Sequence, residues 1–285
     1  MCRLVSCRFA VSSKKHSGIG RVSVNRKSGN NDLSNVANVQ WLLPLAWAAL
    51  LAAGIIGMPL LESLFRWIEP DARQVVYARA AFYELLGRHV LVVGVAAVVT
   101  IIAGVAAGVA VTRERGRDFL PLIGQLASLG QTFPPVAVLA LAVPVLGFGT
   151  LPIIVALMLY GLLPIVRNTL AGINDVDPTI KQSALAMGMT PWQVLRQVEL
   201  PLAAPVILAG VRTSVTINIA TAALGATVGS SNLGDPIIAG IVNGNVAYVL
   251  QGALLIALLA LCVDSAFNVY QQTLRQRLSH LKSNP

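Results

Sequence analysis

The sequence predicts an all-α integral membrane protein, a bundle of six transmembrane helices with both termini on the cytoplasmic side. Three observations carry that expectation. Of 285 residues, 55% are hydrophobic and only 12% are charged, about half the charged share of a soluble domain, and the mean hydropathy is +0.72. The apolar residues fall into runs of about twenty, the length a helix needs to cross a hydrocarbon core of roughly 30 Å. The basic residues collect in alternate short loops and at the two ends, as retention of Lys and Arg on the cytoplasmic side requires. The 21 Lys and Arg against 12 Asp and Glu do not describe a nucleic-acid surface, because residues 1–40 hold seven bases and one acid, residues 272–285 hold three bases, and the remainder cancels.

The elements follow in order. Residues 1–40 are basic, rich in Ser and Asn, and acid-poor. They lack both the apolar core of a secretory signal and the amphipathic period of a transit peptide, so they read as a disordered cytoplasmic tail. The first span is 41–61. The loop 62–88 has four Arg balanced by four acids and is placed outside; within it Val75, Ala78, Phe82, Leu85 and Leu86 recur at helical spacing, which predicts an interfacial amphipathic helix. The second span, 89–112, carries Ala96, Thr100, Gly104 and Gly108 at intervals of four, a stripe suited to close packing inside the bundle. A short basic loop, 112–118, lies inside. The third span, 119–146, must break or kink at Pro134-Pro135, and broken helices often mark transport sites. The fourth, fifth and sixth spans are 151–166, 202–228 and 247–270. A basic tail, 271–285, with Arg275, Arg277 and Lys282, ends the chain. Backbone groups in lipid must be satisfied within the segment, so every span is expected to be helical.

No catalytic, metal or cofactor chemistry is expected. Cys2, Cys7 and Cys262, like His16, His89 and His280, are scattered, and neither a phosphate-binding G-x-x-x-x-G-K-[ST] loop nor a hydrolase motif occurs. The chain has no visible means of hydrolysing ATP.

The most informative stretch is Gln182-Ser183-Ala184-Leu185-Ala186-Met187-Gly188, followed after nine residues by Val198-Glu199-Leu200-Pro201. Asp177-Pro178 supplies an N-cap and a first-turn proline, and a short helix can run to Gly188. Thr190-Pro191 starts a second, with Trp192, Val194, Leu195 and Val198 as its apolar face until Pro201. The segment 178–201 therefore reads as a helix-turn-helix at the inner membrane surface.

This spacing resembles the E-A-A-x-x-x-G-x9-I-x-L-P loop of permease subunits of binding-protein-dependent ABC importers. Gln182 and Ser183 stand where that pattern has Glu and Ala, and Val198 where it has Ile. Three further stretches, Gly130-Gln131-Thr132-Phe133-Pro134-Pro135, Leu159-Tyr160-Gly161 through Arg167-Asn168, and Ala209-Gly210-Val211-Arg212-Thr213-Ser214, resemble the osmoprotectant branch, which imports glycine betaine, choline, carnitine or proline betaine. Gly229 to Pro236 fits that branch too, and the resemblance covers about 85–270, roughly two thirds of the chain, around a permease core taken as 89–270. It implies a bacterial inner-membrane subunit that is not itself an enzyme, working with a cytoplasmic ATP-binding subunit, a second permease (identical or homologous) and an external solute-binding protein. It also implies that the loop, through Gln182, Ser183, Ala184, Gly188, Trp192, Leu195, Val198, Leu200 and Pro201, docks on the ATPase. For Trp192, packing against the chain's own spans is the competing reading.

Polar residues at membrane depth face a wet path or another helix, because lipid cannot satisfy them. Gln131, Thr132, Asn168, Thr216, Asn218 and Thr221 are the candidates for a translocation path, with interhelical hydrogen bonding the alternative. Asn218 is central in the fifth span. Arg212 and Asp264, at similar depth in the fifth and sixth spans, are expected to form a structural ion pair. Few aromatics occur, 6% of the chain, and no cation–π cage for a quaternary ammonium group is evident, which favours selection by a separate binding protein. Another small-solute ABC permease, for an amino acid or the like, remains open, and so do a secondary transporter and a non-transporting membrane scaffold.

Overall fold

The computed structural model describes residues 29–114 and 116–283, with side chains from Trp41 to Arg277 apart from a few internal positions; most of the expected basic tail over 1–40, with Cys2, Cys7 and His16, lies outside the described residues. Among the described residues the fold is helical throughout: α1 Gly29–Gly57, α2 Glu62–Ile68, α3 Phe82–Thr112, α4 Leu120–Thr132, α5 Pro135–Leu146, α6 Thr150–Asn174, α7 Pro178–Ala186, α8 Pro191–Val194, α9 Leu200–Thr221, α10 Asp235–Asn243 and α11 Val246–Ser283. Among the described residues five helical stretches are long and apolar enough to cross a membrane: Trp41–Ile68, Phe82–Thr112, Thr150–Asn174, Pro191–Val228 and Val246–Arg277. The expected third span breaks at Pro134-Pro135, as the two prolines require, into α4 and α5, of 13 and 12 residues.

α6 is the centre. It packs between α3 and α9, and α4 and α5 lie against it as well. α11 covers α9 and α10, and α1 lies mainly on α11. The small residues of α3 explain the close approach to α6: a Cβ on Gly104 would sit 2.8 Å from Ile165 Cγ2, and one on Gly108 would sit 2.7 Å from the Thr169 side chain. The stripe with Ala96 and Thr100 is thus spent inside the molecule. Outward, Leu42, Leu45, Ile56, Leu91, Val98, Ile102 and Leu141 are exposed apolar residues, as a lipid-facing surface requires.

Three expectations need correction. Residues 29–40, expected to be disordered, already belong to the first helix, while the first candidate span starts at Trp41 as expected and runs on to Ile68. The interfacial helix expected around Val75 is absent: 69–81 is irregular, and Phe82, Leu85 and Leu86 belong to the first turns of α3. The reason is a side chain that satisfies the backbone in place of a helix. Buried Gln251 of α11 accepts from the Tyr77 N–H (3.0 Å) and donates to the Val75 carbonyl (2.6 Å), so Val75 and Tyr77 both point inward with the two-residue period of extended chain. Finally, α10 was not foreseen between the fifth and sixth spans.

Candidate functional site: the coupling loop and its surroundings

The loop between α6 and α9 begins as the sequence dictates. The Asp177 carboxylate accepts from the Thr179 N–H at 2.8 Å, Pro178 opens α7, and the helix closes with the Gly188 N–H on the Leu185 carbonyl and the Met189 N–H on that of Ala184. That closure requires a residue with positive φ just past the helix end, and Gly188 supplies it at +88°. A Cβ there would meet open space, so the constraint is conformational and not steric. Thr190 then caps α8 through a reciprocal bond with Gln193.

The second half departs from the expected helix-turn-helix. α8 does not stop before Pro201. It passes through one wide turn, Leu195–Glu199, in which the Leu200 N–H reaches back five residues to the Leu195 carbonyl, and continues as α9. The wider turn makes room for the Pro201 ring, which would clash with the carbonyl four residues back in an ordinary helix. The loop is consequently covalent and helical with a span.

Its faces divide sharply. Trp192 is 67% exposed and Met187 77% exposed, with Leu185 also on the surface, so Trp192 does not pack into the chain's own spans. Gln182, Ser183, Gly188 and Pro201 are exposed too, Val198 and Leu200 half-buried. Leu195 is a correction: at 4% exposure it is held inside this chain along with Ala184 and Val194, because the wide turn rotates it toward the bundle, and it offers no surface to a partner.

Glu199, which the sequence reading passed over, is 5% exposed. Its carboxylate bonds Arg113 Nη2 at 2.5 Å and Lys181 Nζ at 3.2 Å, and Lys181 also donates to the Ile173 carbonyl at 3.0 Å. One buried acid thereby joins the end of α3, the helix α7 and the start of α9. Glu two residues before a helical proline looks like a solvated charge in sequence; only the fold brings the two cations to it.

The polar residues expected along a path separate into two groups. Gln131 and Thr132 end α4 at the break, where Phe133 is extended ahead of Pro134, as a residue before proline prefers. Gln131 donates to the Tyr160 carbonyl at 3.0 Å, and the Tyr160 hydroxyl donates to the Phe133 carbonyl, so the break is pinned to α6. Beside it Pro121, Gly124, Gln125, Ser128, Thr132 and Arg167 line a cavity of ≈ 610 Å³ between α4 and α6. Asn168, Thr216 and Thr221 bond carbonyls of their own helices. Asn218 is fully buried at 0% exposure beside Gly161, inside the contact of α6 with α9.

Arg212 and Asp264 meet in two parallel bonds, Nε to Oδ1 at 2.6 Å and Nη2 to Oδ2 at 2.7 Å, with Nη1 donating to Asn268 at 3.1 Å. The pair ties α9 to α11.

Comparison with known proteins gives the following. The family described as "Binding-protein-dependent transport system inner membrane component" matches residues 100–276. The osmoprotectant import permease protein OsmY of Salmonella typhimurium is 40% identical over 207 residues, 72% of this chain and 87% of its own. The carnitine transport permease OpuCD of Listeria monocytogenes is 39% identical over 193 residues, 67% of this chain and 85% of its own. The choline transport permease OpuBB of Bacillus subtilis is 39% identical over 197 residues, 68% and 90%. An inward-facing structure of the MetNI methionine ABC transporter shares the fold at 20% identity with a TM-score of 0.60, over 68% of this chain and 95% of that one.

Proposed function

The chain belongs to the family of binding-protein-dependent transport system inner membrane components, and from that membership we propose that it is the permease subunit of an ATP-driven importer for a quaternary-ammonium osmoprotectant such as glycine betaine, carnitine or choline. The observation that carries the mechanism is the coupling loop: a short helix, a glycine turn and an exposed tryptophan joined without interruption to a spanning helix. An ATPase subunit docked on Trp192, Met187 and Leu185 moves α9 directly. The remaining partners are a second permease and an external solute-binding protein, and the relatives named for osmoprotectants, carnitine and choline supply the substrate class. We read α4 and α5 together as the sixth crossing, with both termini cytoplasmic. The chain then supplies passage and coupling, and hydrolysis belongs to the partner.

A secondary transporter would use an intramembrane acid for its coupling ion. Asp264, the acid available for that role, has both oxygens engaged by Arg212.

Two measurements test the reading. Uptake of radiolabelled glycine betaine or choline should vanish in a strain lacking this subunit and return with it. An ATPase subunit should co-purify with the chain, and Trp192→Ala should weaken that association by about 2 kcal/mol, roughly 30-fold, as for a central aromatic anchor. Recovery of no ATPase, or uptake that persists unchanged without the subunit, rejects the proposal.

A further inference from the structure

We infer that Glu199 is a positioning residue that carries movement of the coupling loop to the half-helix α4, an inference that rests on the importer reading above. The carboxylate is inside the chain and does not touch an ATPase. It holds Lys181 of α7 at 3.2 Å and Arg113 at 2.5 Å, and a buried carboxylate shared by two cations resists separation from either, since each loss leaves charge without compensation in a poorly solvated place. On the far side of Arg113 the described residues are closely tied to one another. Arg113 Nε donates to Thr112 Oγ1 at 3.1 Å, the Gly116 N–H bonds the Arg113 carbonyl at 2.9 Å, and the Phe119 N–H bonds that of Gly116 at 3.0 Å. Gly116 lies so tightly on the end of α3 that a Cβ would come within 2.1 Å of the Ala110 carbonyl oxygen. The turn Arg117–Phe119 then runs straight into α4, whose Gln125, Ser128 and Thr132 line the cavity shared with Arg167.

A displacement of α7 therefore pulls on Glu199, Arg113 and the base of α4 in turn. This is a second route from the loop to the path, beside the direct continuation into α9. It places the anchoring acid within V-E-L-P, in a chain that has Gln182 where the family pattern has its glutamate.

The test uses the full complex of permease, ATPase and binding protein in proteoliposomes, with radiolabelled glycine betaine, and reads molecules imported per ATP hydrolysed. Glu199→Gln should lower that ratio at least tenfold while basal ATP hydrolysis and recovery of the complex stay within twofold of the parent. Arg113→Gln, which leaves the Lys181 contact, should lower it by a smaller factor. The charge-mirrored triple variant Arg113→Glu, Lys181→Glu, Glu199→Lys should recover at least a third of the parent ratio. An unchanged ratio in Glu199→Gln overturns the inference, as does equal loss of uptake and hydrolysis. Failure of all three variants to assemble assigns the triad to folding alone and overturns it too. If the parent chain recovers no ATPase, the importer reading falls and takes this inference with it; the other outcomes reject the inference alone.

Discussion

At the scale of single residues, charge in a low-dielectric region is tolerated only in company. Arg212 and Asp264 were legible as a pair because each is a lone charge in an apolar run at matching depth; their bidentate geometry adds what depth alone does not give. Asp264→Ala leaves the guanidinium with Asn268 as its bonded neighbour inside the bundle, which for a partly exposed pair should cost about 1–2 kcal/mol. The double variant Arg212→Ala, Asp264→Ala should be more stable than the worse single one, read as melting temperature in detergent. If the double variant melts no higher than that single one, the pair does not hold the bundle. Glu199 shows the limit of sequence reading. Its partners are 86 positions upstream and 18 positions upstream, and neither separation is a helical neighbour. Asn218 shows another: amphipathic logic finds a polar residue in a span but does not say whether it faces water or a neighbouring glycine.

At the scale of elements, the spans were readable from hydropathy and the break of the third from Pro134-Pro135, because lipid and proline act locally. Residues 69–81 were misread because Val75, Ala78 and Phe82 stand at helical spacing in sequence, whereas the side chains buried there are Val75 and Tyr77, two apart, on a backbone fastened to something else. That fastening is Gln251, a side chain far along the chain. Gln251→Leu removes a partner from both the Tyr77 N–H and the Val75 carbonyl, at roughly 1–3 kcal/mol for each buried group left unpaired. Amide exchange at Tyr77 should accelerate, and the melting temperature should fall. Exchange at the parent rate would mean that the segment is held by its apolar contacts alone. The second coupling helix was misjudged for a different reason. Proline was taken as a stop, and a single wide turn allowed the helix to pass it.

At the scale of the whole molecule, the proposed six crossings would put the coupling loop, the end of α3 and the end of α11 on one side and the 69–81 segment on the other. In a variant with Cys2, Cys7 and Cys262 replaced by Ser, a membrane-impermeant thiol reagent should label Asp71→Cys on intact cells and Thr190→Cys only after permeabilisation. Labelling of both from outside would contradict the crossing count. The helical stretch from Pro191 to Val228 spans 38 residues, about 57 Å at ~1.5 Å per residue. Helical hydrogen bonding continues through the wide turn Leu195–Glu199, so the stretch has no open break between the loop and the span. Taken as a rigid rod, a tilt of about 5° at one end displaces the other by about 5 Å over that length. A partner that drove the loop would then have to match the angle of the rod, and the wide turn with Pro201 is the place where the two could adjust to each other.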